Sequence, residues 1–328
     1  MTTAMPDLDK LDLKILYEYD KNIRAPYSAI AKSVNISKQA VKKRIDRLIE
    51  QKIISKFITI INMNHFGVIP NQVFVSFEAS TYQQRQEFID YLLKNHDIPQ
   101  IALCEGLYDL FFGIAITKQT DISDTLSAIH NQFPDLIKTK KIVQFVDTRL
   151  FSRDFLIDKQ RDIVPSNRGF HSKKQAITPI KEIDKTILTL LASDPRISFV
   201  DLAKQCGTSI QTAINRVRFL EKKDIIKGYS LLLHQDVFIQ YTILIELISM
   251  PKNVENQLFQ YFSSQQNVAF VVKLVGEYNF SITAEFKEFT DYRKFSSEFK
   301  KTFSAHIKSF IPLLITDFIK LNFLPPEI

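Results

Sequence analysis

Two rhythms of apolar and polar positions alternate along the chain. In the first, Leu8, Leu11, Ile15 and Tyr19 fall on one stripe at a repeat of about 100° per residue, predicting an amphipathic helix with Asp9 and Asp12 near its positive N-terminal end. A shorter helix is expected over 27–34 with Ile30 and Val34 on one face, and Asn35, Ile36 and Ser37 make a turn. Ser37 suits the N-cap of a third helix, from Lys38 to about Gln51, in which Val41, Ile45 and Leu48 face inward. Its opposite face carries Lys38, Gln39, Lys42 and Lys43. Residues 53–61 are β-branched and fit a strand pair or wing. From Gly67 the period changes to two, with Val73, Val75 and Phe77 on one face. A helix over 81–95, a hairpin of 98–105 with 110–117, a helix over 122–133 and a strand over 137–146 complete a βαββαβ, ferredoxin-like order.

The same two rhythms return. A shift of 172 positions superposes 12 identities on the 46 positions from 12 to 57: Asp12, Ile15, Leu16, Arg24, Ala31, Lys32, Ser37, Gln39, Arg44, Leu48, Ile53 and Ile54 each meet the same residue type. The second half of the unit repeats more loosely at a shift of 170, where Gly106-Leu107-Tyr108-Asp109 answers Gly276-Glu277-Tyr278-Asn279. Its elements are expected at 241–248, 254–265, 268–275, 279–286, 289–303 and 307–319. The fold class is α+β: a winged helix-turn-helix and a ferredoxin-like βαββαβ domain, the pair occurring twice in one chain. The expected divisions are 1–62 and 179–235 for the helical units, and 63–150 and 236–328 for the sheet units. Between them, 151–178 reads as a basic linker with Arg153, Lys159, Arg161, Arg168, Lys173 and Lys174 against three Asp, opening on a short helix. A four-stranded sheet with helices on one side must bury its other face, and two such domains in one chain can cover each other.

Charge adds a direction to this plan. The chain carries 43 basic and 36 acidic residues, a net +7, which favours a polyanionic partner only mildly. Between Ser37 and Lys56, however, seven basic residues face two acidic, whereas Val68 to Leu150 has seven basic and ten acidic. The positive field belongs to the third helix, so double-stranded DNA is the expected partner. Other chemistries find no support. Cys104 and Cys206 form neither a disulfide framework nor a CxxC pair. Seven glycines leave no GxGxxG or GxxxxGK[ST] loop, and the six His (65, 96, 130, 171, 234, 306) make no HExxH. No catalytic residue, metal site or cofactor is therefore assigned. No apolar run reaches the length of a membrane span and no signal peptide is evident, so a cytoplasmic, nucleoid-associated protein is expected.

The two reader helices differ. Ser37 and Ser209 cap both, but the outward positions are Lys38, Gln39, Lys42 and Lys43 in the first and Ile210, Gln211, Ile214 and Asn215 in the second. Gln39 and Gln211 can each pair with adenine, while isoleucine reaches only thymine methyls or the core. Arg44, Arg47, Arg216 and Arg218 are expected to hold phosphates. The first reader should dominate affinity, on an imperfect palindrome with unequal halves.

These residues together resemble the Lrp/AsnC family, the feast/famine regulators. The family's LDxxDxxIL pattern stands as Leu8 to Leu16, its reader pattern as Ser37 to Arg44, and its Gly-x-Tyr-Asp signature as Gly106 to Asp109 and, with Asn for Asp, as Gly276 to Asn279. The resemblance implies operator binding as dimers or higher assemblies and a response to an amino acid or related small molecule. It further implies an effector pocket bordered by the hairpin residues Gly106, Tyr108, Asp109, Gly276, Tyr278 and Asn279. The glycine usual before the wing is replaced by Lys52 and Asp224. Fusion implies that one chain replaces the dimer, an intramolecular pseudo-dimer whose further self-association is left open. Two rivals remain. The sirohaem decarboxylases resemble the same fold, but use His and Arg near the equivalent hairpin, and 101–113 and 269–282 here contain neither. A metabolite-binding protein whose readers no longer touch DNA is the other.

Overall fold

The structure is a computed structural model that describes residues 8–161, 170–171, 178–326 and 328. Half of the expected linker, including Arg168, Lys173 and Lys174, lies outside the described residues. The first helical unit is α1 (Lys10–Lys21), α2 (Tyr27–Val34) and α3 (Lys38–Glu50), followed by strand β1 (Ile54–Ile61). The first sheet unit runs β2 (Ile69–Phe77), α4 (Tyr82–Lys94), β3 (Gln100–Glu105), β4 (Leu110–Ile116), α5 (Gln119–Gln132) and β5 (Ile137–Leu150). A 3-10 turn at Asp154–Ile157 and a two-residue strand, β6 (Phe170–His171), precede the repeat. Its helical unit is α6 (Glu182–Ser193), α7 (Phe199–Gln205), α8 (Ile210–Lys222) and β7 (Ile226–Leu233). Its sheet unit is β8 (Ile239–Leu247), α9 (Lys252–Ser264), β9 (Val268–Gly276), β10 (Phe280–Phe286), α10 (Phe289–Phe303) and β11 (Ile307–Leu321).

Local chemistry fixes the helix ends. Asp9 and Asp12 cap each other's backbone at the start of α1, at 2.7 and 3.2 Å. Ser37 accepts from the Ala40 N–H and Ser209 from the Thr212 N–H, both at 3.1 Å, which starts the two readers. Each reader ends in a left-handed residue, Lys52 at φ 57° and Asp224 at φ 58°. There the Ile53 N–H bonds back to the Leu48 carbonyl at 2.9 Å, and Ile225 to Leu220 at 3.0 Å. The glycine geometry is thus kept by residues that carry a Cβ.

The strand after each reader pairs with its counterpart across the two copies. β1 and β7 run antiparallel, with Phe57 opposite Leu231 and Thr59 opposite Tyr229. Both helical units consequently share one apolar cluster, in which Ile15, Val41, Ile45 and Leu48 join Ile187, Ala213, Val217 and Leu220. The repeated arginines clasp this joint reciprocally. Arg24 donates to the Pro195 and Ile197 carbonyls at 2.9 Å and lies over Phe199, while Arg196 reaches the Tyr27 hydroxyl and lies over Phe57.

The sheet units close into a ring. Each has the ferredoxin-like order, β5-β2-β4-β3 and β11-β8-β10-β9. The last strand of each is long enough to serve both units. β5 pairs with β2 through 137–144 and with β9 through 143–150; β11 pairs with β8 through 307–314 and with β3 through 314–321. Eight antiparallel strands therefore form a barrel without open edges between the copies. Helices α4 and α5 cover one outer face over Phe88, Phe112 and Leu92, and α9 and α10 the other over Phe262, Phe280 and Phe299. The inner faces meet around Phe74, Phe111, Leu244 and Leu313.

The expected basic linker begins inside the protein. Arg153 is buried and holds Asp20 of α1 at 2.5 Å and Glu285 of β10 at 2.6 and 3.0 Å. Arg161 bonds Asp154 at 2.6 Å and three backbone carbonyls. These two cations are core counter-ions because buried carboxylates on other elements need them.

Candidate nucleic-acid interface

The reader helix α3 turns Val41, Ile45 and Leu48 into the shared core, and this leaves Lys38, Gln39, Lys42 and Lys43 exposed on one face. Lys42 reaches Asp46 one turn on, at 2.5 Å, an exposed pair that contributes little to stability. Lys38, Gln39 and Lys43 remain available to a partner. On α8 the matching face is different in kind: Ile210 is 46% exposed, and Gln211 donates to Asn215 at 3.0 Å. An apolar side chain on an exposed reader face has no phosphate to hold, and Gln211 must give up its local bond before it can read a base.

Three of the four expected phosphate contacts have another role. Arg44 donates to Asp9 and Asp12 at 2.7 Å each, Arg47 is ion-paired with Asp12, and Arg216 holds Asp184 at 2.7 Å through Nε and pairs again through Nη2. Asp12 and Asp184 are fully buried, so these arginines neutralise carboxylates at the start of the first helix of each unit. Desolvation alone would raise the pKa of Asp9, but the Arg44 and backbone hydrogen bonds together outweigh it and hold the carboxyl below its usual range. The charge count over 37–56 missed Asp9 and Asp12, which lie outside that window and take up two of its cations. Arg218 is exposed, as its expected role requires.

The hairpin signature closes the barrel. Tyr108 and Tyr278 meet hydroxyl to hydroxyl at 2.6 Å, both buried among Phe74 and Phe111. Asp109 accepts from the Phe77 N–H and Asn279 from the Leu247 N–H, each at 2.7 Å. Gly106 and Gly276, at φ 141° and 135°, lie so near the Pro312 and Ile142 carbonyls that a Cβ would sit 2.9 and 2.8 Å away. The two glycines and two tyrosines join the copies, Asp109 and Asn279 brace the hairpin of their own copy, and none of the six lines the cavity found at the opposite end of the barrel. Cys104 lies beside them with its thiol pushed up to about 12 by burial, so it is no thiolate nucleophile. Among the described residues no group of three or more His, Cys, Asp or Glu is placed to hold a metal, and no helix is long and apolar enough to cross a membrane.

Comparison with known proteins agrees with this geometry. The family described as winged helix-turn-helix DNA-binding matches twice, over residues 8–55 and 180–227. The transcriptional regulator LysM of Sulfurisphaera tokodaii is 29% identical over 127 residues, covering 39% of this chain and 88% of that protein. The leucine-responsive regulatory protein of Klebsiella pneumoniae is 28% identical over 130 residues, covering 39% of this chain and 79% of its own. Each relative thus accounts for less than half of the chain. Among solved structures, the siroheme decarboxylase NirDL aligns with 97% of this chain and 94% of its own at a TM-score of 0.60 and 16% identity, a likeness of fold. Two helix-turn-helix matches in one chain, with regulators of the leucine-responsive type as relatives, support an Lrp/AsnC-type regulator with its DNA-binding unit duplicated.

Proposed function

We propose that the chain is a sequence-specific DNA-binding transcriptional regulator that acts as a covalent pseudo-dimer, with α3 as its principal reader. The observation that carries this is the contrast between the readers: α3 offers Lys38, Gln39 and Lys43 to solvent, and α8 offers Ile210 with an internally bonded Gln211. The β1/β7 ribbon ties the readers to one core, so both halves of an operator would be met by one rigid body with two unlike surfaces. The test is a gel-shift titration on duplexes selected from random sequence. Lys38→Ala with Lys43→Ala is expected to weaken binding at least about tenfold and to lower the salt slope by about 2. Ile210→Ala with Asn215→Ala should change affinity far less and leave the slope unaltered. Equal losses in the two pairs would refute the assignment of roles.

The likeness to NirDL over nearly the whole chain favours a second reading, an enzyme of the same fold. Against it stands the absence of His and Arg from 101–113 and 269–282. Incubation with sirohaem, followed by mass spectrometry, is expected to show no loss of carboxyl groups, and any decarboxylated product would establish the enzyme.

A further inference from the structure

The barrel is filled at its hairpin end and hollow at the other. Between its inner face and the β1/β7 ribbon lies a cavity of about 150 Å³. At roughly 10–15 Å³ per water, that is room for a cluster of waters or one small molecule. One wall is apolar, with Phe111, Phe145, Phe270 and Phe318. The other is polar and comes from both copies. Gln240 and Thr242 of β8, Ser281 and Thr283 of β10, Gln72 of β2 and Thr148 of β5 line it. Gln72, Gln240, Thr242, Ser281 and Thr148 are each at least nine-tenths buried, and none of the six side chains makes a hydrogen bond to a described residue. Polar atoms that face a cavity and not another residue are free to bond whatever occupies it, water or a ligand.

The copies show that this wall is not a by-product of the fold. At a shift of 170, Gln240, Ser281, Thr283 and Glu285 stand where the first copy has Pro70, Phe111, Gly113 and Ala115. The charged groups on the lining are Arg153 and Glu285. Arg153 is shared between Glu285 on the lining and Asp20 behind it, two carboxylates for one guanidinium, so the ion cluster beside the cavity has one formal negative charge in excess. An anion is disfavoured there and an amine is favoured.

We propose that this cavity is an effector site for a small amphipathic molecule that is neutral or singly positive, bears amide, hydroxyl or amine groups, and has no free carboxylate or phosphate. Its polar end meets Gln240, Thr242 and Ser281, and its apolar end meets the phenylalanines. Glu285 links the site to the reader: it holds Arg153, Arg153 holds Asp20 near the end of α1, and Asp20 accepts from Ser230 of β7 at 2.5 Å. A ligand that draws Glu285 away loosens the clasp between the barrel and the first helical unit. Its effect on DNA rests on the regulator reading; binding itself does not.

The test uses the full-length chain and a panel of L-amino-acid amides, each beside its free amino acid, read by thermal shift and calorimetry. At least one amide is expected to raise Tm and bind at least about tenfold more tightly than its acid. Thr242→Val with Ser281→Ala should abolish the shift while leaving the unliganded Tm equal or higher, because the deleted hydroxyls have no partner in the protein. Gln240→Leu gives an independent second variant, with the same loss expected. No binding by any amide, equal binding by the acids, or binding unchanged in the variants would overturn the proposal. A gel shift in parallel separates the two readings: amide binding without any DNA binding sinks the regulator and leaves the cavity, and DNA binding without amide binding does the reverse.

Discussion

The two copies agree at several of the contacts that build and join them, and they differ on two faces that meet something else. Asp12 with Arg44 and Asp184 with Arg216 brace both readers, Arg24 and Arg196 clasp the ribbon, and Tyr108 with Tyr278 closes the barrel. By contrast, Lys38 is matched by Ile210, Lys43 by Asn215 and Phe111 by Ser281. The first group lies where packing fixes the chemistry, within each helical unit for the aspartate–arginine pairs and between the copies for the arginine clasps and the tyrosines. The second lies on surfaces free to specialise, one toward DNA and one toward the cavity.

The largest test of that division is Arg153, a clasp with no counterpart in the second copy. Burial alone would lower its pKa, but Asp20 and Glu285 more than offset this and hold it charged. Arg153→Ala strands both carboxylates and should cost about 3–5 kcal/mol in urea unfolding. Glu285→Ala and Asp20→Ala introduce the residues found at 115 and 192; added together with Arg153→Met, they should recover most of that loss. A triple variant as unstable as the single one would mean that the clasp is not an isolated charge cluster.

A smaller effect is expected where the copies share a strained turn. Lys52 and Asp224 sit in the left-handed region that glycine occupies freely. Lys52→Gly should stabilise by about 0.5–1 kcal/mol. Asp224→Gly should gain less, because Asp tolerates this conformation better and its pairing with Lys227 at 3.2 Å is lost. Equal gains, measured as shifts in the urea midpoint, would remove the distinction.

The smallest concerns pH. His65, behind the ribbon and bonded to Thr178 at 2.8 Å, has its pKa lowered by desolvation. The unfolded chain therefore takes up the proton first, at about pH 6.5. The stability due to neutral His65 is full above that value and is lost as pH falls through the lowered folded pKa. His65→Gln should flatten stability between pH 7.5 and 5.5, and an unchanged slope would assign it to other groups.

Helix and strand periods were written in local order, and so were the caps Asp9, Ser37 and Ser209 and the duplication, because each depends on residues a few positions apart. The reader face was legible for the same reason: once Val41, Ile45 and Leu48 face inward, Lys38 and Lys43 must face outward. The roles of Arg44, Arg47, Arg216 and Arg153 were not legible, since a guanidinium suits a phosphate and a buried carboxylate equally well and only packing brings Asp12, Asp184 or Glu285 within reach. Nor was the cavity. Alternation along 240–245 and 281–286 separates two faces but does not say which of them meets water, and the polar face reads as solvent until ring closure turns it inward. Tertiary structure alone decided that β1 pairs with β7, and that β5 and β11 each span two sheets. Backbone hydrogen bonds are the same for every residue, so a strand's sequence tells that it will pair and leaves its partner to the fold.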